Sequence, residues 1–166
     1  MKPILVAAFL LLFIPAAMAA QPLSLTIRTA SGKTQVFHVQ QALTPEEQEK
    51  GLMFVPAMPA DQGMLFDFHR VEPIRMWMKN TLISLDMLFI AEDGRIVGIA
   101  RNAVPKSLDI IGPPEPVRAV LEVNGGICER LGIAVGDRVT EPTFSGATSP
   151  DRPDTSPQPR SSDGRP

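Results

Sequence analysis

Trp77, Lys79, Asn80, Thr81 and Asp86 crowd into an otherwise apolar stretch, IRMWMKNTLISLDMLFIA from Ile74 to Ala91, and Glu122 and Asn124 end a second apolar run that begins at Val117. These residue types suit recognition of a small polar ligand. Trp77 offers a stacking face, Lys79, Asn80 and Thr81 offer donors, and Asp86 and Glu122 offer acceptors, with Asn124 beside them. Envelope glycans or peptides would match that chemistry. The two carboxylates also permit a hydrolase or lyase, with Asp86 and Glu122 as acid and base and Lys79 stabilising negative charge. That reading needs the carboxyl groups within about 5 to 9 Å of each other. A third reading makes Lys79, Asp86, Glu122 and Arg118 an ion-pair network that fixes strand order in a structural envelope protein without a ligand site.

Other chemistries find little support. There is no Gly-x-Ser-x-Gly, and the only histidines, His38 and His69, fall in a strand and a turn without a matched serine. One cysteine and two distant histidines do not give paired zinc-ligand spacing. No phosphate loop or Gly-x-Gly-x-x-Gly occurs, so the sequence points to no cofactor. Cys128, between Ile127 and Leu131, reads as a small buried hydrophobe on a short helix.

The elements that must position the polar residues are mostly strands. In a strand successive side chains point to opposite faces. A strand over Ile74 to Thr81 would therefore put Ile74, Met76, Met78 and Asn80 on a core face and Arg75, Trp77, Lys79 and Thr81 on the other. A second strand would put Leu85, Met87, Phe89 and Ala91 opposite Asp86, Leu88 and Ile90. Asp86 then needs water or a partner such as Lys79 or Arg75, because a buried charge without one is costly. Before these, Leu23 to Thr29 and Thr34 to Gln40 alternate on either side of Ser31-Gly32-Lys33 and predict a hairpin. Thr44-Pro45-Glu46-Glu47 predicts a helix start, with a capping threonine, proline in the first turn and glutamate three residues after the cap. Strands are predicted at Gly63 to Phe68, Arg95 to Ala100, Val117 to Val123 and Arg138 to Thr140, with a short helix ending at Gly132. The order implies a meander of consecutive antiparallel strands and a mainly β fold, a compact antiparallel β sandwich or barrel with two short helices.

At the start, Lys2, the apolar run from Ile4 to Ile14 and the small residues before Ala20 predict a secretory signal peptide over residues 1–19, and hence an exported, periplasmic or secreted protein. The run is too short for a good membrane span. Residues 20–144 make one domain. Residues 145–166, rich in Pro, Ser and Asp and without Leu, Ile, Val, Met or an aromatic, predict a disordered tail. The 16 basic and 18 acidic residues give a formal charge of −2, one unit more negative once Lys2 leaves with the signal. With no basic run, this argues against a nucleic-acid surface.

In chain order, Thr44-Pro45-Glu46-Glu47 with Gly51-Leu52-Met53-Phe54, Gly63-Met64-Leu65-Phe66, Trp77-Met78-Lys79-Asn80-Thr81-Leu82-Ile83 with Leu85-Asp86, and Val117 to Gly126 resemble the motifs of domain-of-unknown-function family 192. The resemblance spans roughly Leu23 to Thr140. It implies a compact, mainly β domain, often exported, and no established activity. Ser84 stands where members usually carry proline, which bears on the local turn alone.

Overall fold

Alternating apolar residues build the first hairpin, in which β1 (Leu23–Arg28) pairs antiparallel with β2 (Thr34–Ala42) and buries Leu25, Ile27, Phe37 and Val39. The computed structural model describes residues 23–140; the predicted signal peptide and tail lie outside them. After β2 comes α1 (Pro45–Lys50), whose start is a full capping box: Thr44 Oγ1 accepts from the Glu47 amide, and the Glu47 carboxylate accepts from the Thr44 amide. No residue of α1 is buried. It is held from below by Gln48, whose Nε2 donates to the carbonyls of Ala42 and Asp67.

The remaining strands are β3 (Gln62–Glu72), β4 (Leu85–Ile90), β5 (Ile96–Ala103), β6 (Val117–Asn124) and β7 (Arg138–Thr140), with α2 (Ile127–Leu131) between the last two. They form one sheet in the order β5-β4-β6-β3-β2-β1-β7. The sheet curls until its two ends meet. The Ile96 amide donates to the Asp137 carbonyl, the Gly136 amide to the Ile96 carbonyl and the Val139 amide to the Gly94 carbonyl, each at 2.8 Å. The fold is therefore mainly β and barrel-like, with two short helices.

Two expectations fail. The strands do not run as a simple meander, because β6 inserts between β3 and β4, and β2 pairs with β3 in parallel. The connection through α1 and residues 51–61 is long enough to carry the chain back for a parallel pairing, which a tight hairpin cannot do. Nor is Ile74 to Thr81 a strand. It is an irregular segment with single bridges from Met76 to Ile111 and from Thr81 to Met53. Asn80, expected in the core, has φ 57° and is exposed, while Thr81, expected on the open face, is buried. A strand cannot continue through a left-handed residue, so the alternation breaks there.

The sheet has an apolar core on each face. Every strand and α2 contribute to the first, inside the curl, with Leu65, Leu88, Ile90, Leu121, Val123 and Cys128 among its members. The second lies on the opposite face of β3, β4 and β6, where Phe66, Met87, Phe89 and Val120 are covered by the segments around Leu52 and Ile74 to Ile83. Thus β4 is buried on both sides along its whole length. Among the described residues no helix is long and apolar enough to cross a membrane.

Candidate functional site

Glu122 sits on β6 in register with Met64 of β3 and Met87 of β4, and so on the face of the second core. Its exposure is 4%. Such a central position would ordinarily take an apolar residue. Burial pushes its carboxyl up to about pKa 8, and no neighbouring charge or hydrogen bond opposes that shift. Among the described residues, no fully enclosed side-chain oxygen or nitrogen lacks a hydrogen-bond partner. The unpaired Glu122 carboxyl is compatible with that only because it opens onto a cavity of about 60 Å³, lined also by Gln48, Met53, Phe66, Met76, Trp77 and Thr81. Close strand approach helps to form this floor: a Cβ at Gly63 would collide with the Glu122 carbonyl oxygen, so glycine lets β3 lie against β6 here.

The mouth of the cavity is cationic. Lys50, Arg75 and Lys79 line it together with Glu49, all exposed, and none of the four forms an ion pair with a described residue. Lys79 Nζ lies 5.0 Å from the Trp77 ring centroid, which steadies an exposed cation over an aromatic face. Trp77 itself is 40% exposed. Residues 50–53 also line a wider groove of about 760 Å³ that runs under Phe54 to Pro59 and over Met64. Phe54 there has φ 63° and is exposed. Its amide donates to the Asn80 carbonyl at 2.9 Å, tying together the two segments that wall the cavity. A left-handed aromatic residue is uncommon away from turns and functional sites.

The sequence-predicted residues divide between floor, wall and scaffold. Trp77, Lys79, Thr81 and Glu122 come together around the cavity. Asn80 and Asn124 act on its walls. Asn80 Nδ2 reaches Met53 Sδ at 3.7 Å, and Asn124 Nδ2 donates to the carbonyls of Met58 and Pro59 at 2.8 and 3.0 Å. Asp86 is elsewhere. It pairs in register with Val123, a residue of the inner core, whereas Glu122 pairs with Met87 of the outer one, so the two carboxylates occupy opposite faces of the sheet. They cannot work as an acid and base pair on one substrate.

Asp86 also lacks the cationic partner expected of it. Its Oδ1 accepts from the amides of Asn102 and Gly126 at 2.8 and 3.1 Å, and its Oδ2 from the Cys128 amide at 2.9 Å. The buried charge is met by backbone N–H groups, two of them at the start of α2. The four-residue ion-pair network is likewise absent among the described residues, because Arg118 turns to Asp67, with Nε and Nη2 at 3.2 and 3.4 Å from its two carboxylate oxygens. Cys128 is buried as expected, and its thiol is pushed up to about pKa 12, first by burial and then by Asp86. Sequence reasoning missed Gln48, Lys50, Met53 and Met76 as lining residues. The available signal was the density of methionines at positions 53, 58, 64, 76, 78 and 87, every one of which lines the cavity or packs into the second core.

The family profile of DUF192, described as "Uncharacterized ACR", matches residues 26–141. The chain belongs to the DUF192 family. The match covers both walls and the floor of the cavity. A solved structure from Sinorhizobium meliloti 1021, provisionally described as a transcription regulator, is 46% identical, with a TM-score of 0.73 over 76% of this chain and 99% of that one. A protein of unknown function from Novosphingobium aromaticivorans DSM 12444 is 41% identical, with a TM-score of 0.68 over 70% of this chain and 83% of that one. No curated protein matches this DUF192 chain.

Proposed function

We propose that this chain is a binding module for a small polar ligand, received in the cavity above Glu122. The observation that carries the reading is the Glu122 carboxyl, buried among methionines, without a partner among the described residues and open to the cavity. A buried polar group without a hydrogen bond costs roughly 1 to 3 kcal/mol, and a ligand that supplies the missing bond recovers it. Perturbed titratable groups in clefts mark functional sites for this reason. Trp77 beside the opening provides the stacking surface, and Thr81 shapes the wall.

Binding should move the Trp77 indole and Thr81 amide signals together when the isotope-labelled full chain is screened by NMR with sugars, organic acids, amines and short peptides. If no compound of any class moves them, the module reading fails. The predicted signal peptide would place the cavity among envelope glycans and peptides. Mass spectrometry of the mature protein should then find an N-terminus at Ala20 or Gln21, and Met1 retained on envelope-located protein would contradict export. A role in transcription, which the description of the Sinorhizobium protein would suggest, is disfavoured for this chain by its formal charge of −2.

A further inference from the structure

The cavity is narrow, its floor is an acid and its mouth is cationic, and these features together narrow the ligand. A water needs about 10 to 15 Å³ of such space, so about 60 Å³ holds the end group of a ligand and not a whole sugar ring. Whatever enters must satisfy Glu122 at the floor while passing Lys50, Arg75 and Lys79. An ammonium group would meet a net positive mouth, since Lys50, Arg75 and Lys79 outnumber Glu49. A neutral hydroxyl could bond Glu122 but would gain nothing from that excess of positive charge. An organic acid meets both demands.

Resting on the binding-module reading, we propose that the cavity receives the carboxylate end of a small organic acid, with Glu122 donating its O–H to the ligand and the net positive mouth drawing the anion in. The proton stays on Glu122 and no covalent bond changes. Acid-to-carboxylate hydrogen bonds are among the short, strong ones, and a low-dielectric pocket that keeps a carboxylic acid neutral makes it a donor at ordinary pH. Burial holds Glu122 protonated below about pH 8. The groups that face it are uncharged on the sheet, where Met64, Phe66 and Met87 surround it. The charges come from Glu49 and Lys50 of α1 and from Arg75 and Lys79 of the opposite wall. The body of the acid would lie at the mouth against Trp77 or along the adjoining groove.

Trp77 is the only tryptophan of the chain, so intrinsic fluorescence reports this site alone. The full mature chain is titrated with acetate and D-glucuronate, and with glucose, methylammonium and inorganic phosphate, at pH 6 and pH 9. Acetate and glucuronate should shift the emission saturably, with a Kd about tenfold higher at pH 9 than at pH 6 as Glu122 loses its proton. Glu122→Gln keeps an N–H donor that does not titrate, so its Kd should be the same at both pH values. Lys79→Met, at an exposed position that does not threaten folding, should weaken both acids by about threefold to fivefold, as loss of an exposed charge pair does. If methylammonium, glucose or phosphate binds more tightly than the two acids, the ligand class is wrong while the binding module survives. Equal affinity of the wild type for the acids at pH 6 and pH 9 overturns the donor role of Glu122. Silence from every probe overturns this proposal, and the module reading falls with it when the NMR screen is silent too.

Discussion

Two carboxyl groups one strand apart have opposite fates, and stability measurements can separate them. Asp86 is met by three backbone amides. Asp86→Ala strands all three, and at about 1 kcal/mol or more for each orphaned buried donor it should lower unfolding free energy by roughly 3 kcal/mol or more. Lys79→Met should cost less than about 1 kcal/mol, because that cation is exposed. The double mutant should show simple addition, since the two share no contact; recovery of stability in it would contradict the assignment of Asp86 to the scaffold. Glu122 is the reverse case. Its folded pKa of about 8 lies above the ordinary value of 4.5, so the folded state binds the proton more tightly than the unfolded one. Its contribution is complete below pH 4.5 and is lost as pH rises towards 8, at about 1.4 kcal/mol per pH unit. Denaturant unfolding at pH 5, 7 and 9 should therefore show Glu122→Gln gaining on the wild type as pH rises, and a constant difference would contradict the burial of an unpaired acid.

At the scale of elements, much of the framework was legible because its signals are local. The capping box of α1, the hairpin of β1 and β2, the apolar run of β6 and the glycine that ends α2 each lie within a few neighbouring residues. The site was legible in part. Trp77, Lys79, Thr81 and Glu122 were visible as polar residues in apolar runs, but Ile74 to Thr81 kept its alternation only as far as Asn80, whose left-handed backbone no periodicity announces. The partners of Asp86 were invisible for another reason. Backbone amides have no side-chain signature, and Gly126 and Cys128 lie far along the chain. The walls behave as separate parts. Asn124→Ala removes both bonds to the Met58 and Pro59 carbonyls, so amide hydrogen exchange should quicken over residues 52–60 while β3 and β6 stay protected. Uniform quickening would mean that Asn124 supports the whole sheet.

For the molecule as a whole, the closure of the curl depends on Asp137. Its Oδ1 and Oδ2 accept from the Ala30 and Ala134 amides at 2.8 Å each, and its own carbonyl receives the Ile96 amide, so the turn of the first hairpin and both ends of the sheet meet at one buried residue. Asp137→Ala leaves two amides without acceptors and should cost about 2 kcal/mol or more, read as a lower denaturant midpoint. An unchanged midpoint would show that the ends of the sheet hold together without it. The parallel pairing of β2 with β3 could not be foreseen at this scale, because the choice is made by a long connection and not by the strands themselves.

The segregation of sulfur has a consequence for exposure to oxidants. Of the eight methionines, Met1 and Met18 lie outside the described residues and the other six gather around the cavity and its core, where Met53, Met58 and Met76 are partly open and Met78 and Met87 are sealed. The lone thiol, Cys128, is buried on the other side of the sheet and holds its proton firmly, so it is a poor target for peroxide. Mild peroxide should thus convert Met53, Met58 and Met76 to sulfoxides first, which peptide mass mapping would register, and each conversion puts a polar, chiral group where a soft apolar one stood. Damage would fall on the wall of the pocket while the interior of the curl stayed intact, leaving a protein that is still folded but altered at its opening.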